Sequence, residues 1–447
     1  MLPLAIILKG LGHTVSGSDR SYDQGRTPEK FAWIKDQGVK LYPQDGSGVT
    51  NDLAAVVISK AVEDTIPDIR AAKDKNVPIL KRVDVLIENF NAAKIRIAVS
   101  GTSGKTTTTG MIAFLLKEAG LDPTVNNGGI FRNYAKENPY STAFVGKGDV
   151  FVSEIDESDG VEAVCAFTPD IAVIHNITLD HQPMEELRAM FGGFLAKTKL
   201  AVLNADDPVV IDVARAAPAQ AVIYSTQGNL AHVMAENITY LPDGVEADIL
   251  FDGKFDKLRL KMPGAHNVSN AVAAITVGIP LGIQPTQAVE ILSRFEGIKR
   301  RMEVVGTKNG VTVMDDFGHN PDKVAATLAT LREFDGRLLI FFQPHGYGFL
   351  KLVWEELANT FAGYLSQQDR LYFVEPLYLG GTVDKTLGVG PMVEVVKKSG
   401  KHAVLAASRA EVKDLILKDA QKGDRIIIMG ARDDTLSEFA NDILNSL

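Results

Sequence analysis

One segment constrains the fold of this chain more than any other. The apolar run at 95–100 leads directly into residues 101–106 (G-T-S-G-K-T), after which a helical pattern begins. A strand, a glycine-cornered turn and a helix in this order point backbone N–H groups at a phosphate, and the helix N-terminus adds positive charge. In such a turn the Lys105 amine reaches the β- and γ-phosphates, and the Thr106 hydroxyl is placed to bind Mg²⁺. Val99 replaces the first glycine of the general pattern. The segment predicts a nucleoside triphosphate site; the alternative is a plain connecting turn.

Strands and helices alternate on both sides of this segment. Short apolar strands are predicted at 13–17, 54–59 and 78–80, then at 150–154, 171–176, 200–204 and 221–224, and finally at 311–315, 338–342, 370–374, 403–405 and 425–429. Unbroken apolar strands that alternate with helices predict parallel sheets covered on both faces. The chain starts inside an apolar helix, whereas a doubly wound sheet normally begins with a strand and a glycine-rich turn. We therefore expect the first strand of the N-terminal domain to be missing.

Length and composition set the domain count and exclude some classes of function. A chain of 447 residues, at about 150 residues per domain, predicts three domains. The strand–helix pattern restarts near residues 91 and 298, which places the domains at 1–91, 92–298 and 299–447, the central one with a parallel sheet. A net charge of −9 without a basic run argues against nucleic-acid binding. No apolar stretch is long enough to span a membrane. A single cysteine, Cys165, fits a reducing compartment, so we expect a cytoplasmic protein.

Acidic residues follow the strand predicted at 150–154, where ligands of open α/β sheets bind. Glu154 begins the segment E-I-D-E-S-D, and the next strand runs into a segment that ends at His181. A carboxylate and a neutral imidazole beside a triphosphate loop are candidate metal ligands. The alternative is a solvated acidic loop with a surface histidine.

Other polar segments are weaker signals when each is taken alone. Asn267 and Asn270 share one face of a predicted helix, where amides read the edge of a base or cap the helix. Arg300 and Arg301 fit either a charge clamp on a transferring phosphoryl group or a solvated pair. The strands predicted at 311–315 and 338–342 run into segments 315–321 and 342–348, which have the composition of turns.

Taken together and in order, eight such segments make the chain resemble the Mur ligase family, ATP-dependent amide-forming enzymes of peptidoglycan synthesis. The segments are 12–19 (G-H-T-V-S-G-S-D), 101–109 (G-T-S-G-K-T-T-T-T), 154–159 (E-I-D-E-S-D), 176–181 (N-I-T-L-D-H), 264–270 (G-A-H-N-V-S-N), 299–301 (K-R-R), 315–321 (D-D-F-G-H-N-P) and 342–345 (F-Q-P-H). The resemblance implies a Rossmann-like uridine-nucleotide domain at the N-terminus, a central P-loop ATPase domain, and a Rossmann-like ligase domain at the C-terminus, all acting on small-molecule substrates. It also implies that a carboxylate takes the γ-phosphate of ATP, and that an amine then displaces phosphate from the acyl phosphate.

The resemblance further implies roles for individual residues. The residues expected to be catalytic are Lys105, His181, Arg301 and His319. Those expected to bind ATP are Gly101, Thr102, Ser103, Gly104, Lys105, Thr106, Thr107, His266, Asn267, Asn270, Arg301 and Asp316. Those expected to hold Mg²⁺ are Thr106, Glu154 and His181. Those expected to contact the other substrates are Asp19, Ser59, Glu157, Ser158, Asn176 and His345.

Several departures from the family pattern keep the choice of substrate open. Gly346 and Phe349 stand where the alanine-adding branch of the family usually has two arginines, so a bidentate anion contact is lost. Asn320 replaces the second histidine of its motif, and Arg432 replaces a glycine. We expect an amino acid, L-alanine, to be joined to UDP-N-acetylmuramate. The alternatives are a ligase that recycles murein peptides, a ligase for another acid and amine, and a regulatory paralogue that binds ATP without ligating.

Overall fold

A computed structural model describes residues 1–59, 62–178, 183–241, 244–377, 385–431, 433 and 435–447. The chain separates into two compact units. The first unit contains Met1–Thr239, Glu246–Lys261 and His266–Glu296, and the second contains Tyr240–Val245, Met262–Ala265 and Gly297–Leu447. Each unit alternates strands with helices, so the α/β class predicted from the sequence is confirmed.

The N-terminal residues form short elements. They are α1 (Leu2–Gly10), β1 (Ser16–Ser18), α2 (Arg20–Asp23), α3 (Pro28–Asp36), β2 (Lys40–Tyr42), β3 (Val56–Ile58), α4 (Pro67–Asp74), β4 (Ile79–Lys81) and α5 (Arg82–Asn91). β1 pairs with β2 and β3 pairs with β4, both in parallel, so the described strands form two separate pairs rather than one sheet. The sequence missed β2, because K-L-Y is too short and too polar to give an apolar strand signal.

Helices α1 and α5 pack into the same hydrophobic core as the central residues. Leu4 and Ile7 of α1 are buried in this core. The Phe90 ring of α5 lies 5.5 Å from the ring of Phe151 and 5.3 Å from that of Phe167. This shared apolar contact explains why residues 1–91 belong to the first compact unit together with the central residues.

The middle of the chain carries the larger sheet. Its elements are β5 (Ile95–Ser100), α6 (Lys105–Glu118), β6 (Thr124–Asn126), β7 (Ala143–Phe144), β8 (Val150–Glu154), α7 (Val161–Ala166), β9 (Ile171–Ile174), α8 (Met184–Leu195), β10 (Leu200–Asn204), α9 (Pro208–Arg215), β11 (Gln220–Ser225), β12 (Val233–Leu241), β13 (Gly244–Phe251), β14 (Lys254–Leu260), α10 (Ala265–Gly278) and α11 (Pro285–Leu292). Within the described residues the strand order is β14-β13-β12-β11-β10-β9-β5-β8-β6-β7. β5 lies between β8 and β9 and is parallel to both, so the carboxyl ends of the three strands are neighbours.

The second unit contains a sheet of its own. Its elements are β15 (Glu303–Lys308), β16 (Val311–Asp316), α12 (Pro321–Arg332), β17 (Leu338–Gln343), α13 (Tyr347–Tyr364), β18 (Arg370–Phe373), α14 (Gly390–Lys398), β19 (Ala403–Leu405), α15 (Arg409–Asp419), β20 (Arg425–Gly430) and α16 (Thr435–Ser446). The order is β15-β16-β20-β17-β18-β19, with β15 antiparallel to β16. Phe341 and Phe342 of β17 are buried in different apolar clusters, as expected for neighbours on opposite faces of a covered strand.

In the described part of the chain, no helix has both the length and the apolar character that crossing a bilayer requires.

Candidate nucleotide-binding site

The loop between β5 and α6 has the backbone shape of a phosphate-binding turn. Gly101 and Gly104 have φ values of 119° and 85°, in the region that only glycine adopts readily. A Cβ on Gly101 would lie 2.9 Å from the carbonyl oxygen of Asn176. Lys105 begins α6 directly after Gly104, so the first N–H groups of the helix have no partner within the helix. The two glycines thus bend the chain tightly and present these donors to a ligand.

The segment that follows β9 holds this loop by hydrogen bonds. The Asn176 side chain accepts from Ser103 N at 2.7 Å and donates to Ser103 O at 3.1 Å. The Thr102 backbone N–H donates to the Asn176 carbonyl oxygen at 3.0 Å, and the Thr102 hydroxyl accepts from Thr178 N at 3.0 Å. Asn176, expected from the sequence to contact substrate, therefore braces the loop in this structure, while its contact with substrate stays a prediction.

The amine of Lys105 is surrounded by oxygen atoms. It donates to both carboxylate oxygens of Glu157, at 2.6 and 2.9 Å, and to the carbonyl oxygen of Gly101 at 2.7 Å. Only 12% of the Lys105 side chain and 8% of the Glu157 side chain is exposed. Burial raises the pKa of Glu157, and the positive charge of Lys105 opposes that rise. The sequence assigned Glu157 to the substrate and gave no sign of this ion pair.

Thr106, in the first turn of α6, contacts Glu154 at the end of β8. The Thr106 hydroxyl donates to Glu154 Oε1 at 3.0 Å, and the backbone N–H of Gly128 donates to Glu154 Oε2 at 2.7 Å. A hydroxyl and a carboxylate are hard oxygen ligands of the kind that bind Mg²⁺ beside phosphates. Within the described ranges, no three His, Cys, Asp or Glu residues cluster as a metal site. His181, the third expected ligand, lies outside the described residues.

Helix α10 contacts α6 through the amides that the sequence assigned to adenine. Asn270 Oδ1 accepts from the Thr108 hydroxyl at 3.0 Å, and Asn270 Nδ2 donates to Asn267 Oδ1 at 3.2 Å. Both asparagines are 1% exposed, whereas His266 is exposed. Thr107 is buried in the first turn of α6. The two amides therefore join α6 to α10, and a direct contact between either of them and the base stays a prediction.

A cavity of about 320 Å³ lies beside Glu154. The α1 and α5 side chains Leu4 and Leu86 contribute to its apolar wall, and Asn127 and Asp159 to its polar wall. Asn127 is 4% exposed, and its Oδ1 has no hydrogen-bond partner in the described part of the chain. The wall of the cavity therefore combines apolar side chains with amide and carboxylate residues, next to the candidate metal ligand.

Three further substrate candidates belong to the first unit. Asp19 caps α2 and accepts from Ser21 N at 2.7 Å. Ser59 is half-buried directly after β3. Ser158 is exposed, and its backbone N–H donates to the Asp156 side chain at 3.0 Å. The substrate roles expected of these three residues stay predictions.

In the second unit, Arg300 and Asp316 take part in the internal structure. Arg300 is buried and donates to Asp315 at 3.1 Å and to Gly430 O at 2.7 Å. Asp316 accepts from Met302 N at 2.9 Å and from the Thr327 hydroxyl at 2.8 Å. Because Arg300 is committed to these internal partners, it does not fit a phosphoryl clamp in this structure.

In the same unit, Arg301 lies over the ring of Phe317, and His319 and His345 contact each other and the ring of Phe349. The Arg301 guanidinium lies 4.7 Å from the centre of the Phe317 ring. Burial, reinforced by the charge of Lys323, lowers the pKa of His319 to about 3, so its ring is neutral near pH 7. The ring of Phe349 lies 4.7 Å from that of His345 and 5.8 Å from that of His319. The catalytic and ATP-binding roles expected of Arg301, Asp316 and His319 stay predictions.

An inner strand that is parallel to both neighbours and runs into this loop and helix, with a threonine of the first turn bonded to a glutamate on the next strand, defines a P-loop nucleotide-binding protein. Family models match three stretches of the chain. They are the catalytic domain of the Mur ligase family at 1–94, the Mur ligase middle domain at 99–278, and the glutamate ligase domain of Mur ligases at 300–432. The chain belongs to the Mur ligase family, and it is an ATP-dependent ligase that forms carbon–nitrogen bonds.

Individual relatives agree with this family. The UDP-N-acetylmuramate–L-alanine ligase of Agrobacterium fabrum is 34% identical over 96% of this chain and 91% of that protein. The enzyme of the same name from Aquifex aeolicus is 33% identical over 100% of this chain and 95% of that protein. The crystal structure of the UDP-N-acetylmuramate-alanine ligase MurC from Thermotoga maritima superposes with a TM-score of 0.80 at 25% identity, and covers 100% of this chain and 96% of that one. A murein peptide ligase from Psychrobacter arcticus has the same fold, with a TM-score of 0.73 at 24% identity over 100% of this chain and 96% of that one.

Proposed function

We propose that this chain joins L-alanine to the carboxylate of UDP-N-acetylmuramate at the expense of ATP, in peptidoglycan synthesis. The observation that carries the proposal is the braced loop at 101–104 with the Thr106–Glu154 pair at its side. The names of the curated relatives supply the two substrates. Because ATP is the phosphoryl donor, we also propose that the reaction takes place in the cytoplasm.

The reaction divides a difficult dehydration into two displacements. A carboxylate oxygen attacks the γ-phosphorus of ATP, the bond to the β-phosphate breaks, and an acyl phosphate and ADP result. The amine then attacks the acyl carbon, a tetrahedral intermediate forms, and inorganic phosphate leaves as the amide is made. The protein supplies position and charge stabilisation rather than a covalent bond.

The residues of the loop fit the first displacement. We propose that the N–H groups at the start of α6 bind the β- and γ-phosphates, and that the Lys105 amine moves from Glu157 to these phosphates and stabilises the charge that develops between them. We propose that Thr106 and Glu154 hold Mg²⁺, with His181 as a further ligand. When bound, the cation neutralises negative charge on the phosphate oxygens. The cavity beside Glu154 gives room for the carboxylate substrate.

A second candidate keeps this chemistry and changes the amine. Phe349 packs against His345 and His319, at a position where the alanine-adding branch usually has an arginine. An aromatic ring cannot pair with the carboxylate of an amino acid as a guanidinium does. A peptide amine, as in a ligase that recycles murein peptides, or another amine is therefore the alternative substrate.

The release of inorganic phosphate distinguishes these candidates. The purified chain is incubated with ATP and Mg²⁺ and a panel of amino acids and peptides, with and without UDP-N-acetylmuramate, and phosphate is measured over time. We expect release only when both UDP-N-acetylmuramate and L-alanine are present. Replacing Lys105 by Ala should lower the rate by at least about 10²-fold, the usual effect of losing one donor to a developing charge.

The other outcomes decide against the leading proposal. Release with a tripeptide in place of alanine would support the recycling reaction. Release with a different acid and amine would keep the class of enzyme and replace both substrates. Release that is unchanged in Lys105→Ala would contradict the role of the loop.

A further inference from the structure

A buried histidine lies directly beneath the loop and has no part in the reaction described so far. His175 follows the last residue of β9 and is 4% exposed. Its Nδ1 lies 2.5 Å from the hydroxyl oxygen of Tyr224, and the two rings stack with their centres 6.0 Å apart. The His175 carbonyl oxygen accepts from Asn204 Nδ2 at 3.0 Å. The backbone and the side chain of His175 are thus both fixed by neighbouring strands.

The free edge of this imidazole faces Gly104. A Cβ placed on Gly104 would lie 2.8 Å from His175 Cδ2, 3.2 Å from His175 Nε2 and 2.8 Å from Asn270 Oδ1. Gly104 therefore occupies a narrow space between a ring edge and an amide oxygen, where a side chain would clash. Its φ of 85° is also one that glycine adopts far more readily than other residues. Because Gly104 caps α6, this narrow space fixes where the first N–H groups of the helix point.

The charge state of the ring follows from its surroundings. Burial, and then the positive charge of nearby His266, lowers the pKa of His175 to about 4, so the imidazole is neutral near pH 7. Burial raises the pKa of Tyr224, which keeps its hydroxyl protonated. When the Tyr224 hydroxyl donates to Nδ1, the ring hydrogen is on Nε2, the nitrogen on the Gly104 side. Ser269 of α10 bonds to the same hydroxyl, which connects the dyad to α10.

We propose that His175, held by Tyr224, is a positioning residue for the β- and γ-phosphates of ATP. The pair acts through Gly104: it keeps the N-terminus of α6 in the orientation in which its N–H groups meet the phosphates. The proposal rests on the ATP site proposed above. It predicts a larger effect at the phosphates than at the base, because the edge of the His175 ring lies against Gly104 at the start of α6.

Nucleotide affinity tests this role. Dissociation constants for ATP, ADP and AMP are measured by calorimetry for the full chain and for His175→Ala, Tyr224→Phe and the double variant. We expect His175→Ala to weaken ATP and ADP at least tenfold and AMP less than twofold. Tyr224→Phe should show the same selectivity to a smaller degree, and the double variant should resemble His175→Ala alone, because one residue acts through the other.

A matched control comes from another tyrosine whose hydroxyl is hydrogen-bonded inside the protein. Tyr372 donates to Asp419 at 2.5 Å in the second unit, so Tyr372→Phe should leave all three affinities unchanged. If His175→Ala does not fold, Tyr224→Phe decides the matter, because it removes only one oxygen.

Three results would overturn the proposal: equal loss for all three nucleotides, unchanged ATP and ADP affinities, or additive effects in the double variant. A wild-type chain that binds no ATP would instead overturn the proposed function, and this inference with it.

Discussion

At the scale of single residues, the ion pair between Lys105 and Glu157 opposes the binding of ATP. The Lys105 amine must leave two carboxylate oxygens before it can contact a phosphate. Both side chains are largely shielded from water, so neither charge is well screened in the paired state. Part of the binding free energy of the triphosphate is therefore used to break this pair.

We expect Glu157→Gln to bind ATP more tightly than the wild type. The neutral amide holds Lys105 less strongly, and it no longer repels the phosphates. A tenfold lower Kd, which corresponds to ~1.4 kcal/mol, is the expected change. Calorimetric titration with ATP measures it, and the affinity for AMP should not change, because AMP lacks the phosphates that Lys105 meets.

Asp159 provides the control for this substitution. It lies two residues further on and pairs with Arg82 at 2.8 Å instead of with Lys105. Asp159→Asn should leave the ATP affinity unchanged. If Glu157→Gln weakens ATP binding or leaves it unaltered, Glu157 does not compete for Lys105 in the manner described, and its assignment to the other substrates becomes the better explanation.

At the scale of elements, hydrogen bonds join the segment after β9 to the loop after β5. The sequence predicted the strand, the loop and α6, because glycine spacing and apolar runs are local signals. It could not predict that Asn176 pairs with Ser103, since that contact joins residues 73 positions apart. Nor did it predict β15, whose pattern of partly exposed residues resembles a surface loop.

Asn176→Ala should increase the mobility of the loop after β5 selectively. The variant loses both hydrogen bonds to Ser103, so we expect a roughly tenfold loss of ATP affinity together with a lower Tm. Asn91 gives the matched control, because its side chain also bonds twice to backbone, at Ala166 O and Thr168 N. Asn91→Ala should lower the Tm without a change in ATP affinity, and equal effects on affinity would refute the bracing role.

The beginnings of β5 and β9 are joined by a charged contact that predicts a pH dependence. Burial raises the pKa of Asp170, but hydrogen bonds from Arg96 and Lys199 outweigh it and lower that pKa to about 2. The pKa of Asp170 is therefore lower in the folded chain than its ordinary value of 3.8. Because the folded state favours the charged carboxylate, Asp170 stabilises the fold above about pH 4. That contribution is lost as the pH falls from about 4 to 2.

Urea unfolding across this range measures the effect. The wild type should lose stability steadily as the pH falls, and Asp170→Asn should lose less over the same interval while being less stable at pH 7. An identical pH dependence in the two proteins would show that Asp170 is not the titrating group.

At the scale of the whole molecule, the first of the two compact units contains the N-terminal domain and most of the central domain that the sequence predicts. The prediction relied on restarts of the strand–helix pattern near residues 91 and 298. The packing of Ile7 and Phe90 into the core of the central sheet leaves no mark on that pattern, because a buried side chain looks the same whichever element it packs against. The family motifs predicted the class of enzyme correctly. Gly346 and Phe349 depart from the pattern of the alanine-adding branch, so the identity of the amine substrate has to be determined by the phosphate-release assay.

The central claim is that the loop at 101–104 and the start of α6 hold the triphosphate of ATP. A crystal structure of the full chain with Mg²⁺ and a non-hydrolysable ATP analogue tests it directly. We predict the β- and γ-phosphates within hydrogen-bond distance of the N–H groups that begin α6, with the Lys105 amine moved from Glu157 to the phosphates. An analogue bound elsewhere, or a Lys105 amine still paired with Glu157 beside an occupied loop, would contradict the account.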